Sequence, residues 1–139
     1  MREMYEFFSH TADLGLRVQA VTLDELFVDA ARGLTAMFLA DANTLRAVET
    51  RTFALSGENT EYLLFDWLSE LLFAFESERL LFCEFDVRVS DGKLQAICRG
   101  ERADPARHRL EHEVKAITYH GLRVEERDGA WLAELIVDI

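Results

Sequence analysis

Apolar and polar residues alternate along Met4–Ser9 and again along Leu16–Ala20, the period-two pattern of half-buried strands. The connecting stretch Ser9-His10-Thr11-Ala12-Asp13-Leu14-Gly15 sets an imidazole three residues before a carboxylate at a bend. Gly15 can take dihedrals closed to other residues there. A period near 3.6 then takes over. Leu23, Leu26, Phe27, Ala30, Ala31, Leu34 and Met37 form one stripe, which predicts a helix to about Phe38. Thr22 followed by Glu25 is a capping box, and Val21 with Leu26 fits a hydrophobic staple. Asp41-Ala42-Asn43 ends this helix ahead of a strand over Val48–Leu55, and Ser56-Gly57-Glu58-Asn59 supplies a turn and cap for a second helix, Thr60 to about Glu78. Apolar residues nearly encircle that helix, the mark of an element buried on most sides.

Two hairpins follow. Asp91-Gly92 suits a two-residue type I′ turn closing Leu81–Ser90 onto Lys93–Arg102. That register sets Phe85 opposite Cys98 and Cys83 opposite Gly100, with the two thiols roughly 7–8 Å apart on one face. This exceeds the usual span of a disulfide, so both are expected as buried thiols. Asp104-Pro105 opens about one helical turn, and Arg99–His112, with four Arg and two His, reads as a solvated basic loop. Asp128-Gly129 closes the last hairpin. Pairing Arg127 with Ala130 sets Arg123 across from Glu134, Leu122 and Val124 across from Leu135 and Ala133, Val137 across from His120, and Asp138 across from Tyr119. Lys115 then lies about four residues, or roughly 13 Å, beyond Asp138 along the strand; a bend near Gly121 would shorten that distance. Strands outnumber helices and fall in hairpins. The fold class is therefore α+β: an antiparallel-rich or mixed sheet with two main helices packed on it, in a single domain spanning 1–139.

Composition narrows the function. The 139 residues are 50% hydrophobic with ten Phe, enough to build a core without a disulfide. The net charge of −11 repels phosphate, so strong direct nucleic-acid binding is not expected; divalent cations and basic protein surfaces are better-matched partners. Met1-Arg2-Glu3-Met4-Tyr5-Glu6 lacks the features of a signal peptide. Tyr62–Phe75 carries Asp66 and Glu70 and is too short to span a bilayer. A cytoplasmic protein without a membrane segment is expected. Cys83 and Cys98 have neither metal-ligand spacing nor a disulfide framework.

Asp13 and Asp138 are candidate oxygen ligands for a hard divalent cation, Ca²⁺ or Mg²⁺, provided the first loop packs beside the end of the last strand. Ile139 could add a main-chain or terminal oxygen. His10 could ligate a softer metal or orient Asp13. Alternatively, His10 and Asp13 only satisfy turn amides. A metal-dependent hydrolase with His10 as general base would use the same three side chains, His10, Asp13 and Asp138. No P-loop, Gly-x-Ser-x-Gly or His-Glu-x-x-His motif accompanies them. A third possibility is a chaperone or adaptor that uses the apolar helix Thr60–Glu78 and exposes Trp67.

Four blocks, Phe8-Ser9-His10-Thr11-Ala12-Asp13-Leu14-Gly15, Phe65-Asp66-Trp67-Leu68-Ser69-Glu70-Leu71-Leu72, Glu113-Val114-Lys115-Ala116-Ile117-Thr118-Tyr119-His120 and the closing Val137-Asp138-Ile139, resemble the archease family over nearly the whole chain. The resemblance implies a non-catalytic activator of an RtcB-type RNA-splicing ligase, which joins 2′,3′-cyclic phosphate or 3′-phosphate ends to 5′-hydroxyl ends. The activator promotes guanylylation of that ligase and its multiple turnover. A chaperone-like role toward a tRNA methyltransferase is also described for the family. Carried over by motif, the family's metal site falls on Asp13, Asp138 and the main chain of Ile139, and its functional lysine on Lys115. With Lys115 placed far along the strand, its expected role is contact with the partner or its nucleotide, alongside His10, rather than with the metal.

Overall fold

The computed structural model describes residues 5–10 and 13–139, with the side chains of Ser9 and His10 outside the description. In chain order the elements are β1 (Tyr5–His10), β2 (Asp13–Ala20), α1 (Leu23–Phe38), a short 3-10 turn (Ala42–Thr44), β3 (Glu49–Ser56), α2 (Thr60–Glu78), β4 (Leu80–Ser90), β5 (Lys93–Arg102), β6 (Ala116–Arg127) and β7 (Ala130–Asp138). The helices start where their caps require. Thr22 Oγ1 accepts from the Glu25 amide at 3.1 Å, and Asn59 Oδ1 from the Tyr62 amide at 2.8 Å, each satisfying one of the donors a helix start leaves open. Val21, 68% exposed, does not share the burial of Leu26, so the expected staple is not made. Arg79 ends α2 in the left-handed region, at φ 58°.

The strands form two sheets, β1-β2-β7-β6 and β3-β5-β4, with every pairing antiparallel. The α+β class holds, with the strands divided between two sheets. α1 packs against β2 of one sheet and β4 of the other, and α2 against β6 and β4. The apolar core therefore lies among the helices and the inward faces of both sheets. Trp67, Phe27, Leu16, Leu26, Leu63 and Leu64 are fully buried there. α2 is not enclosed all round: Tyr62 (46%) and Phe73 (62%) face solvent.

Three local expectations are corrected. Gly15 sits inside β2 without a positive φ; it pairs with Phe8, whose ring lies where a Cβ would be, 2.2–2.4 Å from its position. Close approach, not a turn, requires glycine there. In the β4–β5 hairpin, Asp91 and Gly92 both take positive φ and Phe85 faces Cys98 as the turn dictates. A bulge at Cys83 then puts Phe82, not Cys83, opposite Gly100, where any side chain would strike the Leu81 carbonyl. Cys83 is consequently half-exposed while Cys98 is completely buried. Burial pushes the Cys98 thiol up to about 12. Since the thiolate is the reactive form, a disulfide reagent at pH 8 should leave Cys98 unmodified in the native protein and label it only after denaturation; labelling at the rate of a free thiol would contradict this packing.

The stretch Arg99–His112 is solvated as expected over much of its length, but its Arg102 and Arg107 charges are paired and His108 is buried. Arg102 is held by Glu49 (3.0 Å) and Glu78 (3.1 Å), and Arg107 by Glu101. His108 is 3% exposed; its Nδ1 accepts from the Asp104 amide at 2.8 Å, and its Nε2 stands 3.3 Å from Glu101. The amides of Glu111 and His112 donate to carbonyls of Phe38 and Met37 at the end of α1, satisfying acceptors the helix end leaves open. Burial alone would raise the Glu101 carboxyl. The Arg46 amide, the Arg107 guanidinium and His108 together outweigh it and hold it below its ordinary 4.5. A depressed native pKa gives stability above the unfolded value that is lost as pH falls through the native one. Melting temperature should thus drop below about pH 4.5 more steeply in the wild type than in Glu101→Gln. Parallel acid limbs for the two proteins would argue against the cluster.

Candidate functional site: an acidic row across one sheet

The hairpin β1–β2 turns tightly enough that His10 pairs with Asp13. On the other side of β2, Asp13 pairs with Asp138 of β7, and Asp138 pairs in turn with Ala116 of β6. His10, Asp13, Asp138 and Ala116 therefore form one row across the end of the four-stranded sheet, on strands spaced about 4.7–4.9 Å apart. Directly opposed side chains project from the same face, so the Asp13 and Asp138 carboxylates share a face and are near neighbours. Asp13, Asp138 and Ile139 are each half-buried. The expected packing of the first loop beside the last residues is what the strand order produces. The imidazole of His10, proposed to orient Asp13, lies outside the described residues.

Along the same face, four residues from this row, runs a second one. Arg17 donates to Glu6 (2.6 Å) and Glu134 (2.8 Å), and Arg123 stands 3.6 Å from Glu134. Hydrogen bonding to Arg17 holds the Glu134 carboxyl below its usual range despite partial burial. The expected Arg123–Glu134 pair is present, and both arginines are committed to that row. Between the rows Phe8 covers Gly15, with the Arg17 guanidinium 4.8 Å from the Phe8 ring centre.

The position of Lys115 differs from the extrapolated register. From Arg127 to Arg123 the β6–β7 pairing runs as expected. It then slips, so that Ile117, not His120, faces Val137 and Ala116, not Tyr119, faces Asp138. The cause is a bulge through Tyr119–Leu122, where Gly121 adopts φ +71°. The slip draws Lys115 to the row: its amide donates to the Asp138 carbonyl at 2.8 Å, and its side chain is exposed. The backbone of Lys115 therefore lies beside Asp138 rather than four residues beyond it.

The donors gathered here are carboxylate and main-chain oxygens, the chemistry of a hard-cation seat. Among the described residues, no group of three or more His, Cys, Asp or Glu side chains is arranged to hold a metal ion. Two carboxylates on one edge would leave most coordination positions to main chain, water or a partner. The sequence does not disclose one contact of the same strand: Tyr119, in the bulge, stacks on Phe65 of α2 at 3.9 Å between ring centres and meets Tyr62 edge-on at 5.3 Å. Gly121 signals a bend in the sequence, and the bulge it permits reaches back to Tyr119. Trp67 is completely buried and so is not the exposed client contact that a chaperone reading of α2 requires.

Fold and site together define a class: a small α+β protein with two antiparallel sheets around two helices, in which residues from both ends of the chain meet in one acidic row. The model of the archease protein family (MTH1598/TM1083) matches residues 5–139. "Protein archease" of Methanopyrus kandleri is 39% identical over 139 residues, covering 97% of this chain and 99% of that protein; that of Pyrococcus abyssi is 38% identical over 140 residues, covering 97% and 98%. The solution structure of Methanobacterium thermoautotrophicum protein 1598 superposes with a TM-score of 0.87 at 33% identity, over 99% of this chain and 100% of the other. A Thermotoga maritima archease, described as a possible chaperone, shares the fold at a TM-score of 0.69 and 19% identity over the whole of both chains. The chain belongs to the archease family. No helix among the described residues is long and apolar enough to cross a membrane.

Proposed function

We propose that this protein is a non-catalytic activator of an RtcB-type RNA ligase, promoting guanylylation of the ligase and its multiple turnover through a divalent cation held at the acidic row. The observation that carries the reading is the pairing of Asp13 with Asp138, with Lys115 bonded to the same peptide. Asp13, Asp138 and an oxygen of Ile139 would hold the cation, Ca²⁺ or Mg²⁺ by their all-oxygen chemistry. A bound divalent ion would supply concentrated positive charge on a surface otherwise too acidic to meet phosphate. Asp13 and Asp138 fix its place on two hydrogen-bonded strands, and the Asp138 backbone is held by the Lys115 amide. Lys115, whose side chain is exposed and whose amide is bonded at Asp138, would contact a partner or a nucleotide bound to it, and the backbone of His10 extends the row toward the sheet edge.

The test is ligation by the cognate ligase with substrate in excess, with and without this protein. Stimulated turnover that a chelator removes, together with no phosphoesterase or nucleotidase turnover by the isolated protein, supports the reading. Ligase turnover unaffected by the protein at any concentration overturns it. Hydrolysis by the isolated protein, abolished in His10→Ala, would replace the activator with an enzyme.

A further inference from the structure

Next to the acidic row, on the same strand β6, the bulge turns Tyr119 outward against the exposed side of α2. Phe65 covers one face of the Tyr119 ring, yet Tyr119 remains 49% exposed and Tyr62 46% exposed. Asp66 lies one helical turn from Tyr62, next to Phe65, and is half-buried with no side-chain hydrogen bond or ion pair to another described residue. Burial, then the Asp66 charge, then Tyr62 push the Tyr119 phenol upward. Phe73, two turns further along the same side of α2, is 62% exposed. Rings with an uncommitted carboxylate beside them match a guanidinium: the ring face attracts the cation, and its planar fork can stack and donate to the acid at once. The net charge of −11 favours a basic protein surface and disfavours nucleic acid at this face.

We propose that Tyr62, Phe65, Asp66 and Tyr119 form a docking site for an arginine side chain presented by the protein partner, with Phe73 receiving apolar contact at its margin. This rests on the reading that the partner is the ligase. It adds an anchoring site distinct from the acidic row, three residues along the edge strand β6 from Ala116 and on the side of the sheet that carries α2. Anchoring residues of this kind carry most of the binding energy of an interface.

The experiment measures the dissociation constant between the cognate ligase and this protein as wild type, Tyr119→Ala, Tyr119→Phe and Asp66→Asn, at two salt concentrations, with melting temperature and divalent-cation affinity as controls. Expected are roughly tenfold or greater weakening in Tyr119→Ala and Asp66→Asn, and a change within about twofold in Tyr119→Phe, which keeps the ring. If Tyr119→Ala does not fold, Asp66→Asn carries the test. Unchanged affinity in Asp66→Asn and every folded Tyr119 variant, while the wild type binds, overturns the docking site and leaves the activator reading standing. Absence of binding by the wild type overturns the activator reading and with it this partner. Binding of a single-stranded RNA oligonucleotide that Tyr119→Ala abolishes would assign the face to nucleobases and overturn the arginine.

Discussion

Asp138→Ala and Asp13→Ala should each weaken divalent-cation binding by more than the roughly 10–100-fold that loss of a supporting neighbour costs a metal site, and should abolish stimulation of multiple-turnover ligation at limiting cation. With only two carboxylates in the row, each one is a large share of the charge that balances the ion, and no third described side chain is placed to substitute for it. Fold loss is a separable cause. Both acids lie at the end of a strand pair, half-buried, whereas the pairing from Leu14–Val137 to Ala20–Trp131 is independent of them. Melting temperatures of both variants should therefore stay within a few degrees of wild type, as expected for changes away from the core. Lys115→Ala separates the roles. Its side chain is exposed and only its amide holds Asp138, so cation affinity should remain while stimulation falls. Isothermal titration with Ca²⁺ and Mg²⁺ measures the first quantity, and ligation kinetics the second. Full stimulation by folded Asp13→Ala and Asp138→Ala variants would remove the cation from the mechanism.

The largest effect on stability is expected at Trp67. It is completely buried, its Nε1 donates to the Phe27 carbonyl at 3.0 Å, and Phe53 and Phe85 meet it edge-on at 5.5 and 6.5 Å. The indole thus ties α2 to α1 and packs against residues of β3 and β4. Trp67→Ala leaves a large cavity and should cost about 3–5 kcal/mol, a big part of the ~5–15 kcal/mol that holds a domain folded, and lower the melting temperature by ~10–20 °C. Trp67→Phe keeps most of the volume and loses only the indole hydrogen bond, the Phe27 carbonyl keeping its place in the α1 ladder, for about 0.5–1.5 kcal/mol. Chemical denaturation followed by circular dichroism distinguishes these. A loss under about 1 kcal/mol for Trp67→Ala would mean the indole is not central to the core.

Much of this architecture is written locally. The Thr22 and Asn59 caps, the 3.6-residue stripes and the Asp-Gly turns act over a few residues, so both helices and both later hairpins emerge with nearly their observed limits. Registers carried outward from the turns hold until a bulge intervenes. One extra residue at Cys83 and three in the Tyr119–Leu122 bulge shift everything beyond them, and neither Gly100 nor Gly121 reveals from sequence alone whether a strand will bulge there. The division into two sheets and the β2–β7 pairing depend on contacts between distant parts of the chain, which alternation does not encode. The first and last acids were linked in the sequence by family motifs, and their adjacency comes from strand order. Arg102 and Arg107 read as a basic patch because their acids, Glu49, Glu78 and Glu101, lie on other elements. The Phe65–Tyr119 contact went unread for the same reason: it joins a helix to a bulge 54 residues later.

Asp13 of the first hairpin and the residues Asp138 and Ile139 are proposed to make one oxygen-lined cation seat. A crystal soaked in calcium, measured for anomalous scattering, tests it most directly. A peak is expected at the end of the four-stranded sheet, with carboxylate oxygens of Asp13 and Asp138 and an oxygen of Ile139 within about 2.3–2.6 Å. Full soaking with calcium bound elsewhere, or with the two carboxylates turned apart and no peak between them, would contradict it.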